Sequence, residues 1–311
     1  MSKREVLIAL TVFSTIAAAC LGVTGFARPQ GQGSRPAPST SMASAEAPAV
    51  ERLSVEAATP KIAAVYEEAA VKNIALRSEM NWAFGGKSQR GWSLYAPLIS
   101  STIGADLEEG TGASFALRLS RWQQVNGLQA TGILDDKTWF QMIKRWQSSR
   151  IKDRTFPTEE SLVTAPVRDF YDPTREEDLR RVERRTFLAY KRMVQAAIAD
   201  STLGLLTTRD GELAAEEQYF KIISAYRSRQ YQDQLRKQSP GSGRAALAVN
   251  SLHQTGKALD IYVGGEPVST KDYNRAIQVN TRAYRWLVKN AARFGFAPYF
   301  YEPWHWEYVG N

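Results

Sequence analysis

Ser251-Leu252-His253-Gln254-Thr255-Gly256-Lys257-Ala258-Leu259-Asp260-Ile261-Tyr262-Val263, in the chain's last third, combines a histidine, a turn glycine and an alternating apolar run that completes the pattern of a turn leading into a strand. Gly256 permits a tight turn, and the alternation of Leu259, Ile261 and Val263 predicts a half-buried strand carrying Asp260 on its other face. A turn between His253 and Asp260 can bring an imidazole and a carboxylate to one metal. The second informative stretch is Glu302-Pro303-Trp304-His305-Trp306-Glu307-Tyr308-Val309-Gly310, an aromatic strand that offers a third ligand, His305, and a nearby acid. A single histidine on a strand is more often a core or surface residue than a ligand. Here, however, both of the chain's 2 histidines fall inside these motifs. Two histidines and one carboxylate form a donor set for catalytic zinc, leaving the fourth position for water. Of the two acids near His305, the spacing favours Glu302 over Glu307, and Trp304 and Trp306 read as core and site wall.

Upstream lies Ser224-Ala225-Tyr226-Arg227-Ser228 with Gln232. Between the two histidine motifs, Trp286, Leu287, Ala291 and Phe294 fall at helical spacing, with Gly295 as the stop. Together these elements resemble the VanY-type D-alanyl-D-alanine carboxypeptidase family, zinc peptidases that trim the stem peptides of peptidoglycan. Ser-x-His-x-x-Gly-x-Ala-x-Asp is matched from Ser251 to Asp260, Glu-Pro-Trp-His-Trp from Glu302 to Trp306, and Ser-x-Tyr-Arg-Ser with its downstream glutamine at Ser224 to Gln232. The resemblance implies zinc on His253, Asp260 and His305, and Glu302 as catalytic base. It implies Arg227 as an anion partner, either for the developing oxyanion or for the terminal carboxylate. Ser251, Tyr226 and Gln232 are candidate substrate-binding residues. The chain departs from the family where Val249-Asn250 replaces a Pro-Gly, while Pro240-Gly241 lies earlier, so the approach loop next to the site is altered.

The middle of the chain has a different grammar. A helix is predicted near residues 62–80, followed by an aromatic stretch with a turn at Gly85-Gly86. Phe115, Leu119 and Trp122 recur at i, i+4 and i+7. A turn and N-cap at 131–135 precede Trp139, Met142, Ile143 and Trp146, which line one face of a further helix. Gly127-Leu128 and the run from Thr131 to Trp139 resemble the small helical peptidoglycan-binding module over about residues 91–147, which implies a wall-glycan or stem-peptide partner. Residues 148–172, with Pro157 and Pro166, read as a linker. Residues 175–200 read as one long helix with Leu179, Val182, Phe187, Tyr190, Met193, Val194 and Ala197 on its apolar stripe and its charges on a solvated face.

Ahead of these units, Lys3 and Arg4 precede an uncharged apolar run over residues 6–27. It reads as an export signal or N-terminal membrane anchor, with the single cysteine, Cys20, loosely placed for lipidation. The Pro-, Ser-, Ala- and Gly-rich stretch that follows reads as a flexible tether. With 1 cysteine, neither an intramolecular disulfide nor a cysteine-rich zinc site is available. The 311 residues, 43% apolar, suffice for real cores and exclude wholesale disorder. The +8 charge fits a polyanionic partner such as cell-wall polymer or acidic lipid. It is dispersed and without a nucleic-acid-binding motif, so no nucleic-acid partner is expected.

The expected organisation is therefore a signal or anchor at 1–28, a linker at 29–60 and a helical region at 61–147. A second linker at 148–172 leads to an α+β zinc peptidase domain at 173–311 with a mainly antiparallel sheet. The expected function is an exported, periplasmic or envelope-associated zinc D-alanyl-D-alanine carboxypeptidase. The alternatives are an L,D-carboxypeptidase or endopeptidase of the same fold, and a non-catalytic zinc-containing wall-binding protein.

Overall fold

The computed structural model of the chain describes residues 60–106, 111–238 and 251–310. The expected signal or anchor at 1–28 and all but the last residue of the linker expected at 29–60 lie outside the described residues, as do Val249-Asn250 and Pro240-Gly241. Among the described residues no helix is long and apolar enough to cross a membrane.

The helical unit begins with α1 (Pro60–Glu79). A hairpin of β1 (Asn81–Phe84) and β2 (Lys87–Arg90) follows, turning at Gly85-Gly86 as the dipeptide predicts. Next come α2 (Ala96–Ile103), α3 (Ala113–Val125) and α4 (Asp136–Ser148). Phe115, Leu119 and Trp122 from α3 meet Trp139, Met142, Ile143 and Trp146 from α4 in one aromatic core. The turn between them is fixed by polar side chains. Gln123 donates to the Ile133 carbonyl at 2.9 Å and accepts from the Gly132 N–H at 2.8 Å. Asn73 on α1 accepts from the Leu134 N–H at 2.8 Å. Asp135 caps α4 by accepting from the Thr138 N–H at 2.9 Å, which satisfies one of the orphan donors of the first turn.

The second unit is α+β. Its sheet has the strand order β5 (Ile222–Ser224), β6 (Ala258–Ile261), β8 (His305–Tyr308), β7 (Phe296–Pro298), with every pair antiparallel. Behind it pack α5 (Arg184–Ile198) and α8 (Arg282–Asn290), while α6 (Arg229–Gln238) and α7 (Asp272–Val279) complete the unit. Gly295, at φ 83°, ends the turn that follows α8, as its position predicts.

Two stretches differ from the pattern in the sequence. Within 148–172, β3 (Leu162–Thr164) pairs with β4 (Arg181–Glu183), and Ala165 and Phe170 lie in the core of the second unit. The long helix expected over 175–200 starts only at Arg184. Glu183 turns its carboxylate back onto the Arg185 and Thr186 N–H groups at 3.0 and 2.8 Å, so the helix is capped there, and Val182 is buried as a strand residue.

The two units share a core. Tyr299, Phe300 and Tyr301, from the connection between β7 and β8, pack into the aromatic cluster of the helical unit. Phe300 lies 4.7 Å from the Phe84 ring, 5.6 Å from Tyr95 and 5.8 Å from Trp146. Arg275 on α7 is 1% exposed, donates to the Tyr95 hydroxyl at 2.6 Å and lies over the Tyr301 ring at 4.5 Å.

Candidate metal centre

Sheet register brings two of the expected ligands face to face. Asp260 on β6 stands directly opposite His305 on β8, and side chains of a directly opposed pair project to the same face. Asp260 also pairs with Ser224 on β5, so it occupies the middle of three strands. All of β6 is buried, and Asp260 is 2% exposed rather than on a solvated face, because loops carrying His253 and Arg227 cover it.

His253 enters from a short 3-10 turn, Leu252–Thr255, which Gly256 terminates in the left-handed region at φ 70°. Its Nδ1 lies 2.7 Å from the Ala225 carbonyl. A carbonyl only accepts, so this nitrogen carries the proton and Nε2 keeps its lone pair. That Nε2 faces Asp260 Oδ2 at 3.2 Å, and His305 Nδ1 faces Asp260 Oδ1 at 3.0 Å. The candidate donor atoms of His253, Asp260 and His305 lie within 4.8 Å of one another, and all three residues are buried.

Burial and the Arg227 guanidinium push the His253 imidazole down to about 4, which keeps it neutral at physiological pH. Burial alone pushes the Asp260 carboxyl up, but the two imidazoles more than reverse this and hold it well below the usual carboxylate range. Burial likewise opposes a charge on His305, yet the carboxylates of Asp260 and Glu307 beside it raise it to about 9.

Glu302 is 4% exposed, and its Oε1 has no hydrogen-bond partner. Burial pushes its carboxyl up to about 7. Arg227 is 2% exposed, with Nε on the Ser224 hydroxyl at 3.0 Å and Nη2 on Asp260 Oδ2 at 3.1 Å. Part of its donor fork is thus turned onto a candidate ligand. Ser251 caps the His253 turn, its hydroxyl accepting from the His253 N–H at 3.4 Å. Gln232 is buried on α6. Tyr226 is half-buried under the Arg181 guanidinium and lines a cavity of about 780 Å³ with Arg175, Ser228 and Tyr231.

Sequence spacing assigned nothing to Glu307 beyond competition with Glu302. The carboxylate is 0% exposed and lies 3.3 Å from His305 Nε2, without the alignment of a hydrogen bond. Burial would raise its pKa, but His305 and Arg150 bring it down to about 2. Arg150, which follows α4, meets it from a distance of 157 residues in sequence. No local pattern could have joined them.

An antiparallel sheet and the turn beside it, presenting two imidazoles and a carboxylate to one point with a buried acid alongside, define a candidate metallohydrolase centre. Residues 181–311, most of the second unit, match the model of the VanY family, described as D-alanyl-D-alanine carboxypeptidase. Among solved structures, that of the LdcB LD-carboxypeptidase, reported with the molecular basis of its peptidoglycan recognition, is similar at 23% identity. It covers 51% of this chain and 72% of that chain, with a TM-score of 0.34. No curated protein matches this chain.

Proposed function

We propose that the protein is a zinc-dependent D-alanyl-D-alanine carboxypeptidase acting on peptidoglycan stem peptides. The observation that carries this reading is the convergence of His253 Nε2, Asp260 and His305 Nδ1 beside the unpartnered carboxylate oxygen of Glu302. The donor set fits zinc: two nitrogens and one carboxylate oxygen, with the His253 tautomer already fixed by the Ala225 carbonyl. When bound, zinc would supply a positive centre that polarises the scissile carbonyl and makes water nucleophilic near neutrality.

The remaining chemistry belongs to the chain's own residues. Glu302, poised by burial near neutral pH, takes the proton from the attacking water and passes it to the departing amine of the terminal residue. Arg227 fixes Asp260 with one arm and offers its remaining N–H groups to the substrate's carbonyl oxygen or terminal carboxylate. Ser251 holds the His253 turn, and Tyr226 forms part of the wall of the cavity it shares with Arg175, Ser228 and Tyr231. The helical unit serves as a wall-binding module, and the apolar N-terminal run directs the protein out of the cytoplasm to the envelope.

Incubation with defined muropeptides, with products weighed by mass spectrometry, tests the reading. Release of the terminal D-alanine from a pentapeptide stem, abolished by a chelator and restored by zinc, is the expected result. Cleavage of tetrapeptide stems alone would move the assignment to an L,D-carboxypeptidase. Cross-bridge cleavage would make it an endopeptidase. A zinc-loaded protein inert on every stem would be a binding protein.

A further inference from the structure

Glu307 carries a consequence for how the two units work together. Its carboxylate is wholly buried, so each oxygen must be satisfied by protein. Oε1 accepts from Arg150 Nε at 2.6 Å, lies 2.5 Å from Arg150 Nη2, and faces His305 Nε2 at 3.3 Å. Oε2 accepts from the Ile151 N–H at 2.9 Å. Apart from His305, its polar partners here come from the two residues that leave the helical unit, outside the stretch 181–311 that matches the carboxypeptidase family.

Arg150 is itself held on several sides. Its guanidinium lies over the Tyr299 ring at 4.0 Å, and Nη1 reaches the Gln147 side chain at 3.3 Å. The Tyr299 ring meets His305 edge-on at 6.0 Å, and the Tyr299 N–H donates to the His305 carbonyl at 3.0 Å. One cation thus braces both the carboxylate behind His305 and the aromatic ring beside it.

We propose that Arg150 is a positioning residue for the metal centre: by anchoring Glu307 behind His305 Nε2, it lets the helical unit set the orientation of a zinc ligand. A carboxylate 3.3 Å behind a ligating imidazole favours the tautomer with its proton on that side and so offers the other nitrogen to the metal, and loss of such partners typically costs about 10- to 100-fold in metal affinity or activity. The inference rests on the metallopeptidase reading. It adds that the centre is completed from outside the family domain.

The test measures zinc affinity by chelator competition, beside turnover of a soluble stem peptide. Arg150→Met keeps much of the stem over Tyr299 and removes the charge, and should weaken zinc binding about 10- to 100-fold. Arg150→Lys should recover part of that loss, because a point charge replaces the fork. Glu307→Gln should weaken zinc similarly, and the Arg150→Met/Glu307→Gln double variant should be little worse than either single one, since both remove the same bridge. A merely structural Arg150 would give additive losses and lower thermal stability at unchanged zinc affinity, which overturns the inference. If Arg150→Met does not fold, Arg150→Lys and Glu307→Gln decide: wild-type affinity in both overturns it. A wild-type protein that takes up no zinc would instead defeat the metallopeptidase reading itself.

Discussion

Glu302 and Asp260 are both buried carboxylates, yet their surroundings push them in opposite directions, in keeping with the separate roles proposed for them. Asp260 is surrounded by cationic or potentially cationic partners, Arg227, His253 and His305, which hold it ionised, while Glu302 has an unpartnered oxygen and a carboxyl raised to about 7. Glu302→Ala should therefore keep zinc and lose roughly 100- to 10,000-fold in turnover, the range a general acid and base contributes. Asp260→Ala should lose zinc and turnover together. Metal content and stem-peptide turnover measured side by side separate the two outcomes, and a zinc-free Glu302→Ala protein would make that residue a ligand. The same burial predicts a pH dependence. As the proposed base, Glu302 must be ionised to accept a proton, so kcat/KM should fall on the acid side. The apparent pKa of that limb should lie between the ordinary 4.5 and about 7, the positive charge of bound zinc drawing it toward the lower end. Glu302→Gln should abolish the limb along with the activity. These residues were legible in the sequence because each motif is local: a turn joins His253 to Asp260, and three positions separate Glu302 from His305. Arg150 and Glu307 were not, since only the folded chain brings them together.

At the scale of elements, the turn after His253 and the strand β4 depend on each other. A Cβ on Gly256 would come 3.0 Å from the Glu183 Cβ and 3.1 Å from its backbone nitrogen, in a left-handed conformation that other residues adopt at a cost. Gly256→Ala should thus destabilise the fold by about 1–3 kcal/mol and displace His253. Thermal denaturation together with zinc titration would check it, and a variant with unchanged zinc affinity would show that the turn does not position the ligand. The sequence showed the need for a turn at Gly256, because glycine at that spacing is informative. It did not show β4, since the apolar stripe of α5 runs on through Val182 and Leu179. Only pairing with β3, and the Glu183 cap, stops the helix where it stops. The Trp139 to Trp146 face needed no such outside partner and was readable from its period alone.

For the whole molecule, the question is whether the helical unit can be removed. A linker rich in proline suggested two separable bodies, but the connection that leads into Glu302 is seated in the aromatic core of the helical unit through Tyr299, Phe300 and Tyr301. Removing residues 60–147 would bare these rings and uncover Arg275, which now bonds Tyr95. At roughly 1.5–3 kcal/mol for each fully buried large side chain, the loss amounts to about 5–9 kcal/mol, comparable with the entire stability of an ordinary domain. Residues 148–311 alone should accordingly be aggregation-prone or molten, with little turnover even of a small soluble stem peptide that needs no wall attachment. Near-ultraviolet circular dichroism and peptide turnover of that fragment, against the full chain, provide the measurement. A fragment that folds and turns over at the full rate would show that the helical unit is dispensable for the reaction. An inactive fragment regaining turnover when residues 60–147 are added in trans would show the unit completing the catalytic centre.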